Sequence, residues 1–399
     1  MREFILKNGI RACIKQNRNT PRVALVLNIS INKEEKHAGE YSLMNRLLLK
    51  GTKKYSSEEL ATILDENAIE LCTEMKSDYL RIRFACLNED FEKALALMSD
   101  IIQNSTFDEL EKERTKLNGE LMAELDSAKI KLSDLFTKTI YKNHFYGHSY
   151  TKILEEIDEI TKEDVVNSYK EILETGRKTV VLVGDVNENG LLEKYFGELP
   201  PSVESESEIQ EPMQLSQEYT EIIKEDANQA QILQGWHVGT INDKEYPMLM
   251  LLNIILGASG LSSRLFLELR EKKGLAYTVR TSYETHVKSA IFSIYIGTEP
   301  SNIKTSIEGF KEEIEKIKNI PVSEEELHNA KNNLIGKQQF LCETNAQQAN
   351  IMAYYSIMGK PFNYRETVIE KIKNVTSEEL QECARKFFND KYVLAVIKP

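Results

Sequence analysis

Cysteine is sparse here and poorly placed for cross-linking. The 399 residues hold five, Cys13, Cys72, Cys86, Cys342 and Cys383. The number is odd and the spacing wide, so neither a disulfide framework nor a C-x-x-C metal site is available. Free thiols in a reducing compartment are expected. Long apolar runs are missing too. No stretch approaches the roughly 20 apolar residues of a membrane span, and residues 1–9 contain no run of the length a secretory signal needs. These absences predict a cytoplasmic protein that does not enter membranes. Positive charge is in deficit. A net charge of −12 argues against nucleic-acid binding and leaves basic or neutral peptides as fitting partners. The phosphate-cradling pattern G-x-x-x-x-G-K-[ST] and the nucleophile elbow G-x-S-x-G do not occur.

What is present is enough apolar residue, 41% of the chain, to build two or more cores. Strands are expected at 4–6 and 10–14 around an Asn8-Gly9 turn, and at 23–31, 70–74 and 79–87. The last of these alternates, with Leu80, Ile82 and Phe84 against Arg81 and Arg83. Helices are expected near 40–51, after a Ser56 or Ser57 cap, at 90–103, at 107–135 and at 162–173. A buried strand at 179–183 follows. Residues 199–216 are polar, acidic and proline-bearing, and read as a linker. Beyond them the programme repeats. Phe107 and Val322 open long helices, and Ile160 and Val375 open late helices at the same separation. Each late helix leads to a closing strand, at 180–183 and at 393–397. Two homologous half-chains, 1–198 and 217–399, therefore share one α+β plan: a mainly antiparallel sheet with helices packed on one face.

Residues 39–52 have the frame of a metal-binding helix without its ligands. An inverted zinc motif, H-x-x-E-H, sets two imidazoles four residues apart on one helical face, with a Glu as general base. Here those places hold Ser42, Asn45 and Arg46. None is a good zinc ligand, and Arg46 would repel the ion.

From Gly39 to Thr52 the chain resembles, without a gap, the G-L-A-H-F-L-E-H-M-L-F-K-G-T segment of the M16 (pitrilysin/insulinase) metallopeptidases. Only the chemistry is replaced. The family's third ligand lies in an E-R-x-x-x-x-x-E helix, which Glu113, Arg114 and Glu120 resemble, and this implies that Glu120 is an orphaned third ligand. The stretch from Ser262 to Tyr277 resembles the family's S-S-R-L-F-x-x-L-R-E-K-x-G-L-A-Y segment. There an Arg and a Tyr seven residues apart hold and polarise substrate, and Arg270 and Tyr277 match that spacing. A guanidinium and a phenol are donors that suit a peptide carbonyl or its oxyanion. One departure concerns the edge strand. Active members carry an Asn-Ala pair there, and this chain reads Glu70-Leu71-Cys72-Thr73-Glu74.

The resemblance implies the two-half M16 clamp fold and the non-catalytic subunit of a heterodimeric zinc peptidase. This chain would bind no metal or other cofactor. A homologous catalytic subunit with an intact H-x-x-E-H would supply zinc and the general base. Arg270 and Tyr277 would act on the peptide substrate in trans, and a homodimer is expected of the chain in isolation. The alternative is a non-enzymatic scaffold or peptide-binding protein on the same fold. His144 and His148 stand four apart, but Asn143 and Gly147 point to a loop, and the region resembles the family's H-P-Y-G loop. His37, His237, His286 and His328 are scattered.

Overall fold

The computed structural model describes residues 1–203 and 207–399. Its strands form two sheets. The first contains β1 (Arg2–Ile5), β2 (Arg11–Gln16), β3 (Arg22–Ser30), β4 (Glu70–Met75), β5 (Tyr79–Leu87) and β6 (Lys178–Gly184) in the order β1-β2-β6-β3-β5-β4. The second contains β7 (Glu218–Ile223), β8 (Ala230–Val238), β9 (Ala276–Thr285), β10 (Ala290–Thr298) and β11 (Val393–Lys398) in the order β7-β11-β8-β10-β9. Without β1, the two orders are the same arrangement of successive strands, so the repeat read in the sequence is a repeat of topology. Pairing is antiparallel except for β2 with β6 and β7 with β11. In both exceptions the closing strand returns beside an early strand of its half, the second in the first half and the first in the second.

The composition of β3 explains what covers it. Seven consecutive residues from Val23 to Ile29 are buried, with no alternation. A strand reads that way when both of its faces are covered. Helices Glu40–Leu47, Phe91–Asn104 and Lys162–Thr175 build the layer on one side, where Leu80, Ile82 and Phe84 of β5 point. On the other side lies the helix Asn345–Ile357. Its Ala349, Met352 and Ala353 pack on Cys13, Ala24, Val26, Val181 and Val183. Small residues at i and i+4 let this helix approach the sheet closely.

The second sheet mirrors this. Helix Ala128–Ile140 lies on β8 and β11. Gly235 makes the approach possible, since a Cβ there would stand 2.5 Å from Phe136 Cζ. A glycine inside a strand marks such a contact. Each sheet thus takes one helix from the other half of the sequence. The compact units are 1–120, 152–209 and 339–365 for the first, and 121–151, 210–338 and 366–399 for the second. They differ from the contiguous division at 198 and 217 that the repeat suggests. The reason is the partner chosen by each helix after its turn: Ala128–Ile140 finds an apolar face on the second sheet and Asn345–Ile357 on the first.

Two local differences follow the same logic. The helix expected over 107–135 is two helices, Leu110–Leu125 and Ala128–Ile140, separated at Asp126-Ser127, where Ser127 is extended. It also begins late, because Phe107 and Glu109 adopt left-handed φ values of 51° and 65°. The expected linker is pinned on both sides of Glu204, Ser205 and Glu206, which lie outside the described residues. Ser202 N donates to Asn8 O at 2.8 Å, and Glu208 N to Asn32 O at 2.7 Å. Lys178, fully buried, donates from Nζ to the carbonyls of Gly176 and Pro201 at 3.0 and 2.9 Å. Burial pushes its ammonium down to about 8. No helix among the described residues is long and apolar enough to cross a membrane.

Candidate functional site

Helix Glu40–Leu47 is anchored by its apolar side. Leu43, Met44, Leu47 and Leu48 are completely buried, each worth about 1.5–3 kcal/mol of burial. Gly39 starts it at φ 97°, and a Cβ there would stand 2.7 Å from Ile153 Cγ2. The opposite side carries Ser42, Asn45 and Arg46, all partly buried. The packing role of the frame therefore survives its change of chemistry.

Arg46, at the second histidine place of the motif that the segment resembles, has partners of its own. Its guanidinium pairs with Glu120 through both carboxylate oxygens, Nη1 to Oε1 at 3.3 Å and Nη2 to Oε2. Nη1 also lies 3.8 Å from Glu113 Oε2. Glu113 is 3% exposed and takes Lys50 Nζ at 3.1 Å and Lys116 Nζ at 2.8 Å on Oε1. Burial pushes the Glu113 carboxyl up, but hydrogen bonds and charge from Lys116 and Lys50 outweigh it and hold the group below its ordinary value. Hydrogen bonding to Arg46 does the same for Glu120. Three cations thus meet two carboxylates where the frame would seat one zinc ion and its ligands. This set does not fit zinc. A guanidinium cannot donate a lone pair, and it already occupies the carboxylate the ion would need. Among the described residues, no group of three or more His, Cys, Asp or Glu side chains could hold a metal. Lys50 and Lys116 escaped the sequence reading, and Glu113 entered it only as part of the helix resemblance, with no role. Their signal was present: Lys50 is four residues after Arg46, and Glu113 lies seven before Glu120 on the same helix face.

The second group sits at one end of the second sheet. Arg270 lies in a π-helical segment, Phe266–Lys272, that stops at Gly274, which has φ 62°. Wide turns of this kind recur at functional sites. The chain then enters β9, the edge strand, whose second residue is Tyr277. Arg270 Nη1 donates to the main-chain carbonyl of Tyr277 at 2.6 Å. The guanidinium centre lies 4.7 Å from the Phe266 ring centroid and 4.9 Å from that of Tyr277. Two cation–π contacts and one hydrogen bond therefore fix the guanidinium, while the Tyr277 side chain, on a residue 78% exposed, reaches solvent. The segment Gly257-Ala258-Ser259-Gly260 begins as the end of a second π-helical stretch, Ile254–Ala258.

His144 and His148 flank the short turn Phe145–Gly147. His144 is committed at both nitrogens, Nε2 to Gln210 O at 2.8 Å and Nδ1 accepting Tyr146 N at 3.0 Å. His237 is a different case. Its ring bonds to the backbone of Ile140, Nε2 is buried without a partner, and burial pushes the imidazole down to about 4.

Residues 11–164 match the family described as Insulinase (Peptidase family M16), and residues 159–334 the one described as Peptidase M16 inactive domain. The chain is 25% identical over 407 residues to a Bacillus subtilis protein named uncharacterized zinc protease YmxG, covering 100% of this chain and 98% of that one. It is 24% identical over 363 residues to a Helicobacter pylori protein named non-peptidase homolog YmxG, covering 88% and 82%. Its fold matches a crystal structure of a peptidase M16 inactive domain from Pseudomonas fluorescens, with TM-score 0.90, 20% identity, and 100% and 98% of the two chains covered.

Proposed function

The chain belongs to the M16 peptidase family, and we propose that it is a non-catalytic, substrate-binding subunit of a two-chain zinc endopeptidase of that kind. The observation that carries the reading is the pairing of Arg46 with Glu120. A chain that had merely lost its ligands would leave Glu120 open. This one has filled the place with a fixed positive charge. In this reading zinc and the water-activating carboxylate belong to a homologous partner that keeps H-x-x-E-H.

What this chain offers is at the other end of its sequence. Arg270 is a permanent cation and Tyr277 an exposed O–H donor, and both lie at the edge strand of the second sheet. A peptide can add to such an edge as a further strand. Donors aimed at its carbonyl would stabilise the negative charge that develops on that oxygen. The role of Arg270 towards Tyr277 is then partly internal. By holding the main-chain carbonyl and stacking on the ring, it fixes the direction of the phenol.

The experiment is affinity recovery of the tagged chain from its own cell, with zinc analysis and peptide cleavage on the recovered complex. The reading expects zinc and cleavage in the complex and neither in the chain alone. It expects Arg270→Ala and Tyr277→Phe to lower the rate by about 10²-fold with the complex intact. Chelator-sensitive cleavage by the lone chain would sink it. An unchanged rate in an intact complex would favour the scaffold instead.

A further inference from the structure

The repeat places a second copy of the same helix pair in the second half, with a different filling. Helix Glu324–Phe340 corresponds to Leu110–Leu125, and Tyr246–Asn253, continued by Ile254–Ala258, corresponds to Glu40–Leu47. Between the first pair lies the ion cluster of Arg46, Lys50, Glu113 and Glu120. Between the second pair is a cavity of about 540 Å³.

Its walls divide by chemistry. Ile254, Ile255, Leu267 and Ala330 supply an apolar side. Glu325 and Asn333 supply acceptors, and the amide oxygen Oδ1 of Asn333 is buried with no hydrogen-bond partner. The neighbouring cations are already engaged. Arg264 spends Nε and Nη2 on Glu326 at 2.7 Å each, and Lys337 Nζ donates to Ala258 O at 2.6 Å. The cavity therefore pairs greasy walls with uncommitted acceptors and a carboxylate.

We infer that this cavity takes an aliphatic side chain ending in a primary ammonium, the lysine side chain of a bound peptide. Methylenes pack on the apolar wall while the head stays polar. An ammonium brings three donors and no acceptor, which suits the Glu325 carboxylate, the Asn333 oxygen and the hydroxyls of Ser259, Ser262 and Ser323 that also line the cavity. Its bond to the carboxylate of Glu325 is charge-assisted. Leu267 of the wall lies on the same π-helical segment as Arg270, so occupancy would select which peptides are presented there. The choice of a peptide as the source of the ammonium rests on the function proposed above.

The test uses the full chain without any partner. A labelled, end-blocked pentapeptide of glycine and alanine with one central lysine is titrated by fluorescence anisotropy. Norleucine and Nε-acetyl-lysine analogues are compared, with butylamine as competitor. The lysine peptide is expected to bind about 10-fold more tightly than either analogue, because only it offers the charged donor. Glu325→Gln, on the exposed side of its helix, should remove that preference with the melting curve unchanged. Ala330→Leu should weaken all three peptides by filling the space. Equal binding of lysine and norleucine peptides, or an unaltered preference in Glu325→Gln, would overturn the inference. So would displacement by butylamine as effective as by the peptide, which would make this a general amine site. Loss of cleavage on Arg270→Ala is read in the partnered complex, so either result can fail while the other stands.

Discussion

The guanidinium of Arg46 is fastened to the carboxylate of Glu120, 74 residues away in sequence. In the resemblance drawn above, these two residues stand at the places of two metal ligands. If the frame is otherwise intact, restoring the ligands should restore the site. The triple variant Ser42→His, Asn45→Glu, Arg46→His frees Glu120 and sets two imidazoles four apart on the helix. It should retain about one zinc per chain after dialysis, as read by atomic absorption, whereas Arg46→His alone should retain none. A triple variant that folds and stays metal-free would show that the backbone has moved as well as the side chains.

How much of this was legible beforehand follows from what local sequence can encode. β5 was readable to the residue, because Leu80, Ile82 and Phe84 alternate with Arg81 and Arg83 and both ends are bounded by polar residues. Arg270 and Tyr277 came from the resemblance at their seven-residue spacing, and their contact with each other, across the turn at Gly274, was seen only in the fold. The exchange of helices Ala128–Ile140 and Asn345–Ile357 was not readable, because nothing in a helix states which of two similar sheets it will cover. Gly235 and the Ala349/Ala353 pair were its only traces. The ion cluster behind Arg46 was half visible: Glu113 and Glu120 came from the resemblance, while Lys50 and Lys116 needed the fold to bring them to Glu113.

Glu113 gives the cluster a measurable energy. Its carboxylate is buried and depends on Lys50 and Lys116. Lys50→Met removes a charged hydrogen bond from an ion that cannot reach water, and should cost about 1–3 kcal/mol in urea unfolding at neutral pH. Because the folded carboxyl is held below its ordinary value, its contribution is full above that value and is lost as pH falls through the lower, folded one. Once pH has fallen below that folded value, the variant and the parent should therefore converge. A gap that persists there would assign the loss to packing of the lysine stem instead.

His237 sets the other acid limb. Burial, with a smaller contribution from His144, lowers its folded pKa to about 4, against an ordinary value of 6.5. The unfolded chain binds the proton more readily over that interval, so stability is complete above pH 6.5 and falls as pH drops towards 4. The displacement corresponds to at most about 3 kcal/mol. Urea midpoints at pH 7, 5.5 and 4.5 should decline for the parent and decline less for His237→Gln, even if the variant is weaker at pH 7. Parallel slopes would mean that the imidazole is protonated in the fold and pairs with a group it does not touch in this structure.

The support of Tyr277 can be tested from behind with two glycines. Gly257 ends the helix on which β9 lies, and a Cβ there would come within 2.4 Å of the backbone N of Thr281. Thr281 is itself bound to that helix, Oγ1 to Asn253 O at 2.9 Å. Backbone cannot swing aside as a side chain can, so Gly257→Ala must push the helix and strand apart. The expected cost is about 1–3 kcal/mol, with a lower cleavage rate in the partnered complex as β9 shifts. Gly336 is the matched control. It lies inside the helix Glu324–Phe340, and a Cβ there would meet nothing within 4 Å. Gly336→Ala removes backbone freedom from the unfolded chain and should stabilise by about 0.5–1 kcal/mol. Thermal melts of the two variants should therefore move in opposite directions, with the cleavage rate following only Gly257→Ala. If both melted like the parent, the helix would not be bearing on β9 at Thr281, and the phenol of Tyr277 would owe its position to Arg270 alone.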